Sequence, residues 1–534
     1  LMLQGEVHDL RKQNLEKDME IANLREINRM RLLEKYMPSS EQMASLFDEL
    51  ELYDLAQPVL EDEGRITVSA HEKTRKQTEI SSMPASTPVY DVYHTEGAAE
   101  SYTDDDGIEY RRIEDEIVSK IAYVPQRVVV ERHHYPKYRA VCSVEEGKET
   151  EVAMRSRSID ALAASPSFIS YVAVSKYDDH LPLYRLSEIL GRSGIRVSRQ
   201  KMAGWLIKYM EALLPFSRFW DRTVFRQRFL AMDESPVKIL DVLNAEGKPS
   251  ANCYMVFRRG SSYIARERRT HVLISYRASI GRSSCEPLDE YRRMEFPGYV
   301  MTDGLSGYNT IEKHCTCWVH AARPFKKMLK DSRKNGDAQR ICIEVARLFS
   351  IDEELRKKLE GGIIGEDGFL AERRKKSLKI MEGIFAFCAS LSLRYTPQSQ
   401  MGKALAYITE RQDTLRNYLE AVEATPSNNE SERCAKAFAT GRKNWLFSKA
   451  VDGADASAFF YSIIESAKAN GIDPLLYTEL ICTEGPYCTT EEEMERLLPW
   501  NADLSGMMEE CRKRNAAAPD KDRKDPYMLT GLRR

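Results

Sequence analysis

The N-terminal part of the chain combines a heptad-spaced segment with a long polar stretch. The a and d positions of successive heptads hold mostly hydrophobic residues and asparagines, namely Val7, Leu10, Asn14, Ile21, Leu24 and Asn28. Asparagine at an a position is typical of a coiled coil with a fixed register, so the spacing predicts a coiled-coil helix over residues 1–37. A single solvated helix that packs on its own protein explains the spacing equally well. Residues 38–85 are polar and are predicted to form a linker.

Residues 86–225 change from a strand-like to a helical pattern. Alternation of polar and apolar residues, as in "RVVVERHHYPKYRAV", predicts short strands within 86–160. Within 161–225, the pattern predicts a helix to Leu190, a turn at Gly194 and a second helix with Ser198 as its N-cap. The side chains expected to face inward on the second helix are Met202, Trp205 and Leu206.

Two helices joined by a short turn form a helix-turn-helix pattern. Arg199, Gln200 and Lys201 would then occupy the first turn of the second helix, where a recognition helix reaches DNA. A plain helical hairpin without a DNA-binding role fits the same pattern.

The middle of the chain contains short apolar runs, and a strongly charged helical segment follows them. The runs at 229–233, 253–258, 271–276 and 298–303 predict strands. Residues from about 321 to 425 are predicted to form a helical insertion, and a further helix begins near 428. Strands followed by helices favour an α/β or α+β fold. We assign this core to residues 226–480 and a C-terminal tail to 481–534.

Acidic residues follow two of the predicted strands. The stretch "FLAMDESPVKIL" places Asp233 and Glu234 after an apolar run, and "PGYVMTDG" places Asp303 after another. Ligands of open α/β sheets gather where strands end, and Mg²⁺ takes carboxylate oxygens together with substrate phosphate oxygens. Neighbouring strand residues face opposite ways, so only one of Asp233 and Glu234 can reach a shared ion. Each acid could instead merely cap its strand at the surface.

A third acid is available in "TPSNNESERCAKAFATGRKNWLF". Ser427 and Glu430 have the spacing of a capping box, which predicts Ser427 as the N-cap and Glu430 at the third helical position. Glu432 would then lie on a different face and point inward. The basic, aromatic segment that follows is predicted to contact phosphates or to form an ordinary amphipathic loop; it contains Arg442, Lys443 and Trp445.

Composition limits what the chain can bind. The formal net charge is −3, so DNA would have to bind at local basic patches. No apolar run is long enough to span a membrane. The eleven cysteines are scattered, which favours reduced thiols and a cytoplasmic location. The cluster "HCTCWVH" contains two histidines and two cysteines, but their spacing is too tight for an ordinary zinc site. Packed core residues are the alternative there.

In this order, the motifs "SKYDDHLPLYR", "MDESPVKIL", "TDGLSGYN", "CWVHAARPF", "NNESERCAKAFATGRKNWLF", "IESAKANGIDP" and "LLPWN" resemble the insertion sequence 66 family of bacterial DDE transposases. The resemblance implies an RNase H-like fold and a D, D, E triad of Asp233, Asp303 and Glu432. It also implies that this triad holds two Mg²⁺ (or Mn²⁺) ions and cleaves and joins DNA without a covalent protein intermediate. His320 and Arg323 would lie beside the scissile phosphate.

The same resemblance implies partners and one departure. The expected partners are the terminal inverted repeats of the element, target DNA, a second copy of the chain on DNA, and small accessory proteins. Family members carry a zinc module with two cysteine pairs in the region of 86–160, where this chain offers only Cys142 and His94. Zinc is therefore not expected there, and the module is predicted to be degenerate. Alternative functions are a catalytically silent, DNA-binding relic and an RNase H-like nuclease of another purpose.

Overall fold

The computed structural model describes part of the chain in detail. It covers 101–103, 109–111, 137–139, 151–153, 159, 162–192, 195–243, 247, 253–280, 291–303, 306–331 and 335–516. The predicted coiled coil, the linker and most of the 86–160 module lie outside these residues. No helix in the described ranges has the length and apolar character needed to cross a bilayer.

Short strands lie within the predicted 86–160 module. Strands β1 (Ser101–Thr103) and β2 (Glu109–Arg111) pair antiparallel, as do β3 (Lys137–Arg139) and β4 (Glu151–Ala153). The first pair belongs to one compact unit, whereas the second pair and the described residues up to Ala516 belong to another.

Within the described residues, four helices precede the central sheet. They are α1 (Pro166–Tyr177), α2 (Leu183–Arg192), α3 (Arg199–Ala212) and α4 (Leu214–Val224). Ser198 caps α3 as predicted, since its hydroxyl accepts the Lys201 N–H at 3.3 Å. Met202 and Leu206 are buried, and the ring of the partly buried Trp205 meets that of Phe168 edge-on at 6.0 Å. The two helices of the predicted pattern are therefore present as α2 and α3.

A five-stranded mixed sheet follows these helices and gives the chain its α/β architecture. Its strands are β5 (Phe229–Pro236), β6 (Cys253–Ile264), β7 (Arg269–Ile280), β8 (Tyr299–Thr302) and β9 (His314–Thr316), in the spatial order β7-β6-β5-β8-β9. The strands β5, β6 and β7 form an antiparallel meander, while β8 runs parallel to both β5 and β9.

Strands β6 and β7 are both longer than the sequence predicted. Polar residues continue β6 to Ile264, because every residue from Cys253 onward pairs with β7. Gly260 lies within this extension, where a Cβ atom would stand 2.6 Å from the Gln227 side chain and 2.8 Å from the Val224 carbonyl oxygen. A glycine is therefore needed for the close approach of β6 to the end of α4.

A helix protects the outer edge of this sheet. Helix α11 (Val451–Ala469) runs along β7, and Ser462 and Ser466 accept the N–H groups of Tyr276 and Ile274, each at 2.8 Å. Four residues advance a helix by about 6 Å, and two residues advance a strand by about 6.7 Å. The spacing of two serine hydroxyls four residues apart on α11 therefore matches the spacing of N–H groups two residues apart on β7. The edge is thereby closed to pairing with another strand.

The long helical segment packs on one face of the sheet. Its helices are α5 (Trp318–Asp331), α6 (Gly336–Glu360), α7 (Glu366–Ser392), α8 (Gln400–Glu410) and α9 (Gln412–Arg416). Phe229, Ala231 and Met301 join the hydrophobic cluster of these helices, whereas Leu230, Met232 and Val300 join the cluster of the opposite face. This alternation decides which acids face the helical segment.

The C-terminal part corrects a predicted boundary. Its helices are α10 (Asn429–Trp445), α11, α12 (Pro474–Glu484), α13 (Glu491–Arg496) and α14 (Ser505–Ala516). The boundary at residue 480 falls inside α12. Leu497 and Leu498 are buried, and the Tyr477 hydroxyl donates to the Leu497 carbonyl at 2.6 Å. Residues 481–516 thus belong to the same compact unit as the sheet.

Candidate active site

Asp233 lies on β5, and Asp303 directly follows β8, the parallel neighbour of β5. The register pairs Phe229 with Tyr299, an offset of 299 − 229 = 70, and 303 − 233 = 70 as well. Asp303 follows directly after the last residue of β8. Neighbouring strands lie about 4.8 Å apart, and alternation along each strand turns both aspartates toward the face that carries the helical segment. The two acids thus share one side of the sheet.

The structure also separates Asp233 from its neighbour Glu234. One Asp233 carboxylate oxygen accepts the backbone N–H of Glu234 at 2.8 Å. The Glu234 carboxylate instead accepts the Tyr308 hydroxyl at 2.8 Å. Residue Asp233 is therefore the acid of this pair that faces Asp303.

The charges of Asp303 and Glu432 both act on the Asp233 carboxyl. The pKa of the Asp233 carboxyl is raised to about 8, chiefly by burial and also by the negative charges of Asp303, Glu234 and Glu432, against the opposing effect of the Glu234 N–H. Charges act in this way only at short range. The site therefore concentrates negative charge where a cation would be stabilised.

Glu432 reaches the site from the first turn of α10. Its side chain is 14% exposed, and its Oε1 atom lies 3.3 Å from Arg323 Nη2 and 3.5 Å from His320 Nε2. His320 and Arg323 are three residues apart on α5, so they share one face of that helix.

The helix that carries Glu432 begins later than predicted. Its N-cap is Asn428, not Ser427, and Glu430 forms an ion pair with Arg259 instead of closing a capping box. The Ser427 hydroxyl accepts the Asn429 N–H at 2.9 Å, which fixes the turn before the helix. The short spacing between Ser427 and Glu430 indicated a helix start but did not reveal that Asn428 occupies the cap.

Asn428 and Cys317 join the elements that carry the candidate catalytic residues. Both are buried. Asn428 Nδ2 donates to the Met232 carbonyl at 3.3 Å, and the Asn428 N–H donates to Cys317 Sγ at 3.1 Å. Cys317 immediately precedes α5, and its carbonyl accepts the Ala321 N–H at 3.2 Å. Sequence analysis did not single out Asn428, since a buried asparagine has no spacing signature.

Cys317 is a helix cap, not an exposed thiol. Burial raises its pKa to about 11, while hydrogen bonds from the N–H groups of Asn428, His320 and Val319 oppose that rise. The neighbouring Cys315 packs in the hydrophobic cluster of the helical segment. His314 shares a 2.8 Å hydrogen bond with the Thr302 hydroxyl, and burial lowers its pKa to about 4. These side chains hold β8, β9 and α5 together.

The family resemblance implies DNA cleavage, and we expect Cys317→Ala to lower that activity by about 10- to 100-fold, the usual cost of removing a group that orients an active-site residue. Cys317→Ser should restore most of the loss, because serine is a preferred N-cap. Cleavage rates and urea unfolding of both variants check this, with the buried Cys388→Ala as the control for lost packing. A folded Cys317→Ala protein with the wild-type rate would refute the positioning role.

The other predicted DNA contacts lie on separate elements. Arg199, Gln200 and Lys201 are exposed in the first turn of α3. Lys443 is exposed near the end of α10, and Arg442 donates to the Pro236 carbonyl. Trp445 is partly buried, with its ring edge-on to Phe438 at 5.5 Å.

No three His, Cys, Asp or Glu side chains within the described ranges are arranged to hold a metal ion as they stand. The Glu432 carboxylate instead faces Arg323 and His320. The donor types fit a hard divalent cation, because all three acids offer carboxylate oxygens.

A mixed sheet with one aspartate on a strand, a second just after the neighbouring parallel strand and a glutamate on a nearby helix defines an α/β protein with a cluster of acids. A family model described as "Transposase IS66 family" matches residues 161–456, and one described as "IS66 C-terminal element" matches residues 462–500. The chain therefore belongs to the IS66 family of transposases.

Two similar proteins come from Sinorhizobium fredii, and both are named only as uncharacterized. Protein y4jD is 27% identical over 397 residues, which cover 71% of this chain and 73% of that protein. Protein y4qI is 26% identical over 393 residues, which cover 68% and 69% respectively.

Proposed function

We propose that this chain is an active, metal-dependent DNA transposase that cuts DNA at the ends of an insertion sequence and joins those ends to target DNA. The observation that supports it best is that the charges of Asp303 and Glu432 both act on Asp233, with the two aspartates on or just after neighbouring parallel strands. A silent relic would have no need to keep Asp233 buried beside two further acids, an arrangement that raises its pKa to about 8. The family membership supports DNA as the substrate.

We propose that the catalytic core is RNase H-like. An antiparallel meander of the first three strands, continued by two parallel strands beside the first, is the sheet arrangement of that fold class. The helical segment before Glu432 is then an insertion between the fifth strand and the helix that carries the third acid. The Tyr407 hydroxyl on α8 donates to the Asp303 carbonyl at 3.1 Å, which ties this insertion to the site.

Asp233, Asp303 and Glu432 are the residues that would hold two Mg²⁺ or Mn²⁺ ions. Bound there, the metals would activate a water or a 3′-OH and stabilise the leaving oxygen of a phosphodiester. Burial and the neighbouring acids supply the negative potential for such cations. Release of Glu432 toward a metal would leave Arg323 and His320 available for the scissile phosphate.

DNA binding is proposed to come from two separate surfaces. Arg199, Gln200 and Lys201 at the start of α3 would read the terminal inverted repeats, while Arg442 and Lys443 at the end of α10 would contact phosphates. Trp445 would support that segment through its packing on Phe438 as well as contribute to DNA binding. A homodimer or larger assembly on DNA, help from accessory proteins, and action in the cytoplasm are proposed with it.

Arg199→Ala should reduce the preference for element-end DNA over scrambled DNA, because residues in the first turn of α3 can reach base edges. The loss expected for one base contact is about 5- to 150-fold. Lys443→Ala should weaken binding to both duplexes equally, since phosphate contacts carry no sequence information. Titrations of both variants on both duplexes at matched salt check this. Full end preference in the Arg199→Ala protein would contradict the proposed recognition helix.

Strand joining tests the proposed function as a whole. The full chain is incubated with Mg²⁺, a duplex that ends in one terminal inverted repeat, and a supercoiled target plasmid. The proposal predicts repeat ends joined to the plasmid. Specific binding to the repeat without cleavage or joining would identify the silent relic instead, and cleavage without preference for the repeat would indicate a nuclease.

A further inference from the structure

Two large apolar side chains stand exposed directly after the helix that carries Glu432. Leu446 is 64% exposed and Phe447 is 45% exposed. Single exposed apolar residues are common on protein surfaces and need no explanation by themselves. The backbone that presents this pair distinguishes it from that background.

Leu446 adopts a conformation that leucine rarely takes. Its φ is 65° and its ψ is −41°, and the Phe447 N–H donates to the Trp445 carbonyl at 2.8 Å. A hydrogen bond between residues two apart across such dihedrals is the γ-turn with positive φ, the rarer and strained form. Strained residues persist where the surroundings hold them, and they cluster at functional sites.

The surroundings do hold this turn. The Leu446 N–H donates to the Arg442 carbonyl at 2.7 Å, and the Ser448 N–H donates to the Lys238 carbonyl at 2.9 Å. The Leu240 N–H returns a bond to the Ser448 carbonyl at 3.0 Å. Residues 238–240 continue the chain just beyond β5, the strand that carries Asp233. Leu446 and Phe447 are therefore held between α10 and the segment after β5, two of the three elements that supply acids to the site.

The charge around Leu446 and Phe447 favours nucleic acid as the partner of these two side chains. Lys238, Lys443 and Lys449 are exposed on the segments that form and anchor the turn. A patch of two side chains is small compared with the apolar patches that mark protein interfaces. One or two apolar side chains beside basic residues are, however, the arrangement by which proteins enter a DNA base stack.

We propose that Leu446 and Phe447 form a wedge that unstacks a base near the cleaved end of the element DNA, with the freed base lying on the Phe447 ring. This inference rests on the proposed function. Fourteen helical residues separate Glu432 from Leu446, a rise of about 21 Å. At about 3.4 Å per base step, the unstacked base lies within roughly six base pairs of the scissile phosphate.

The test uses the full chain and duplexes of one terminal inverted repeat with 2-aminopurine at successive positions. In EDTA, the wild-type protein should raise fluorescence at one position within roughly six base pairs of the cleavage site. Phe447→Ala should abolish that rise and lower cleavage in Mg²⁺ by about 5- to 150-fold, the range for loss of one base–aromatic stack. An abasic site at the same position should restore most of the cleavage, because no base then has to be unstacked.

Two further variants separate the wedge from folding. Leu446→Gly removes the side chain but suits a positive φ, so the unfolding midpoint should not fall while the fluorescence rise is lost. Leu393→Ala truncates a leucine that is 91% exposed elsewhere, and it should change neither signal.

The outcomes distinguish the two proposals. If the wild-type protein fails to cleave the repeat, the proposed function fails first. If the wild type cleaves and Phe447→Ala matches it on intact and abasic duplexes, the wedge alone is refuted. A Phe447→Ala protein that loses self-association but keeps the 2-aminopurine signal would show a protein contact, and would equally overturn the wedge.

Discussion

Glu432→Gln should abolish both strand cleavage and strand joining, with a loss of at least about 1000-fold. A neutral amide is a poor ligand for a hard cation, and the loss of one preorganised electrostatic group alone costs up to about 1000-fold. The Glu432 side chain is largely buried beside Arg323 and His320. Glutamine has nearly the same size as glutamate, so the substitution should remove the charge without disturbing the packing. Cleavage of an end duplex by the purified variant measures the effect.

Glu430→Gln is the matched control for that substitution. Glu430 lies two residues earlier on the same helix, with its side chain 48% exposed and paired with Arg259. The pair is half-exposed at Glu430, and a glutamine there can still accept a hydrogen bond from Arg259. This variant should therefore stay within about threefold of the wild-type rate. Equal losses from the two substitutions in folded proteins would contradict the assignment of Glu432 to the triad.

Asp233→Asn should remove the response of the free protein to divalent metal. In the wild type, Mg²⁺ or Mn²⁺ binds only the folded site and should raise the unfolding midpoint, by the ordinary linkage between binding and stability. Without metal, the substitution should not destabilise the protein, because a carboxyl whose pKa is raised to about 8 already costs stability when it is ionised at high pH. Thermal unfolding with and without Mn²⁺ at pH 8.5 measures both effects.

Glu234→Gln provides the neighbouring control for Asp233→Asn. Glu234 accepts a hydrogen bond from Tyr308 and is not expected to hold metal, so its variant should keep the Mn²⁺ response. An undiminished Mn²⁺ response in Asp233→Asn would show that the metal binds elsewhere.

Local signals allowed much of the core to be predicted from sequence. Apolar runs located β5 and β8, and the serine before a helical pattern located the start of α3. Strand β9 was missed, since three residues of mixed polarity give no period. The extension of β6 and β7 was missed as well, because its polar residues are specified by pairing and by the close approach at Gly260, not by hydrophobicity.

The candidate site could be predicted in its residues but not in its geometry. The two aspartates are recognisable as acids that follow apolar runs. That they come close together depends on the parallel pairing of β5 with β8, which the sequence does not reveal. The capping-box pattern predicted Ser427 as the N-cap of α10, whereas the N-cap is Asn428. The position of Asn428 depends on its hydrogen bonds with Cys317 and Met232, which are distant in sequence. Long-range contacts of this kind leave no local pattern.

Release of a 3′-OH at the boundary of a terminal inverted repeat tests the central claim most directly. The wild-type protein and Asp303→Asn are incubated with the end duplex across a range of Mg²⁺ concentrations and in chelator, and the strands are mapped. The account predicts a metal-dependent cut at the repeat boundary by the wild type and none by Asp303→Asn. Cutting in chelator, or cutting by Asp303→Asn at the wild-type rate, would contradict it.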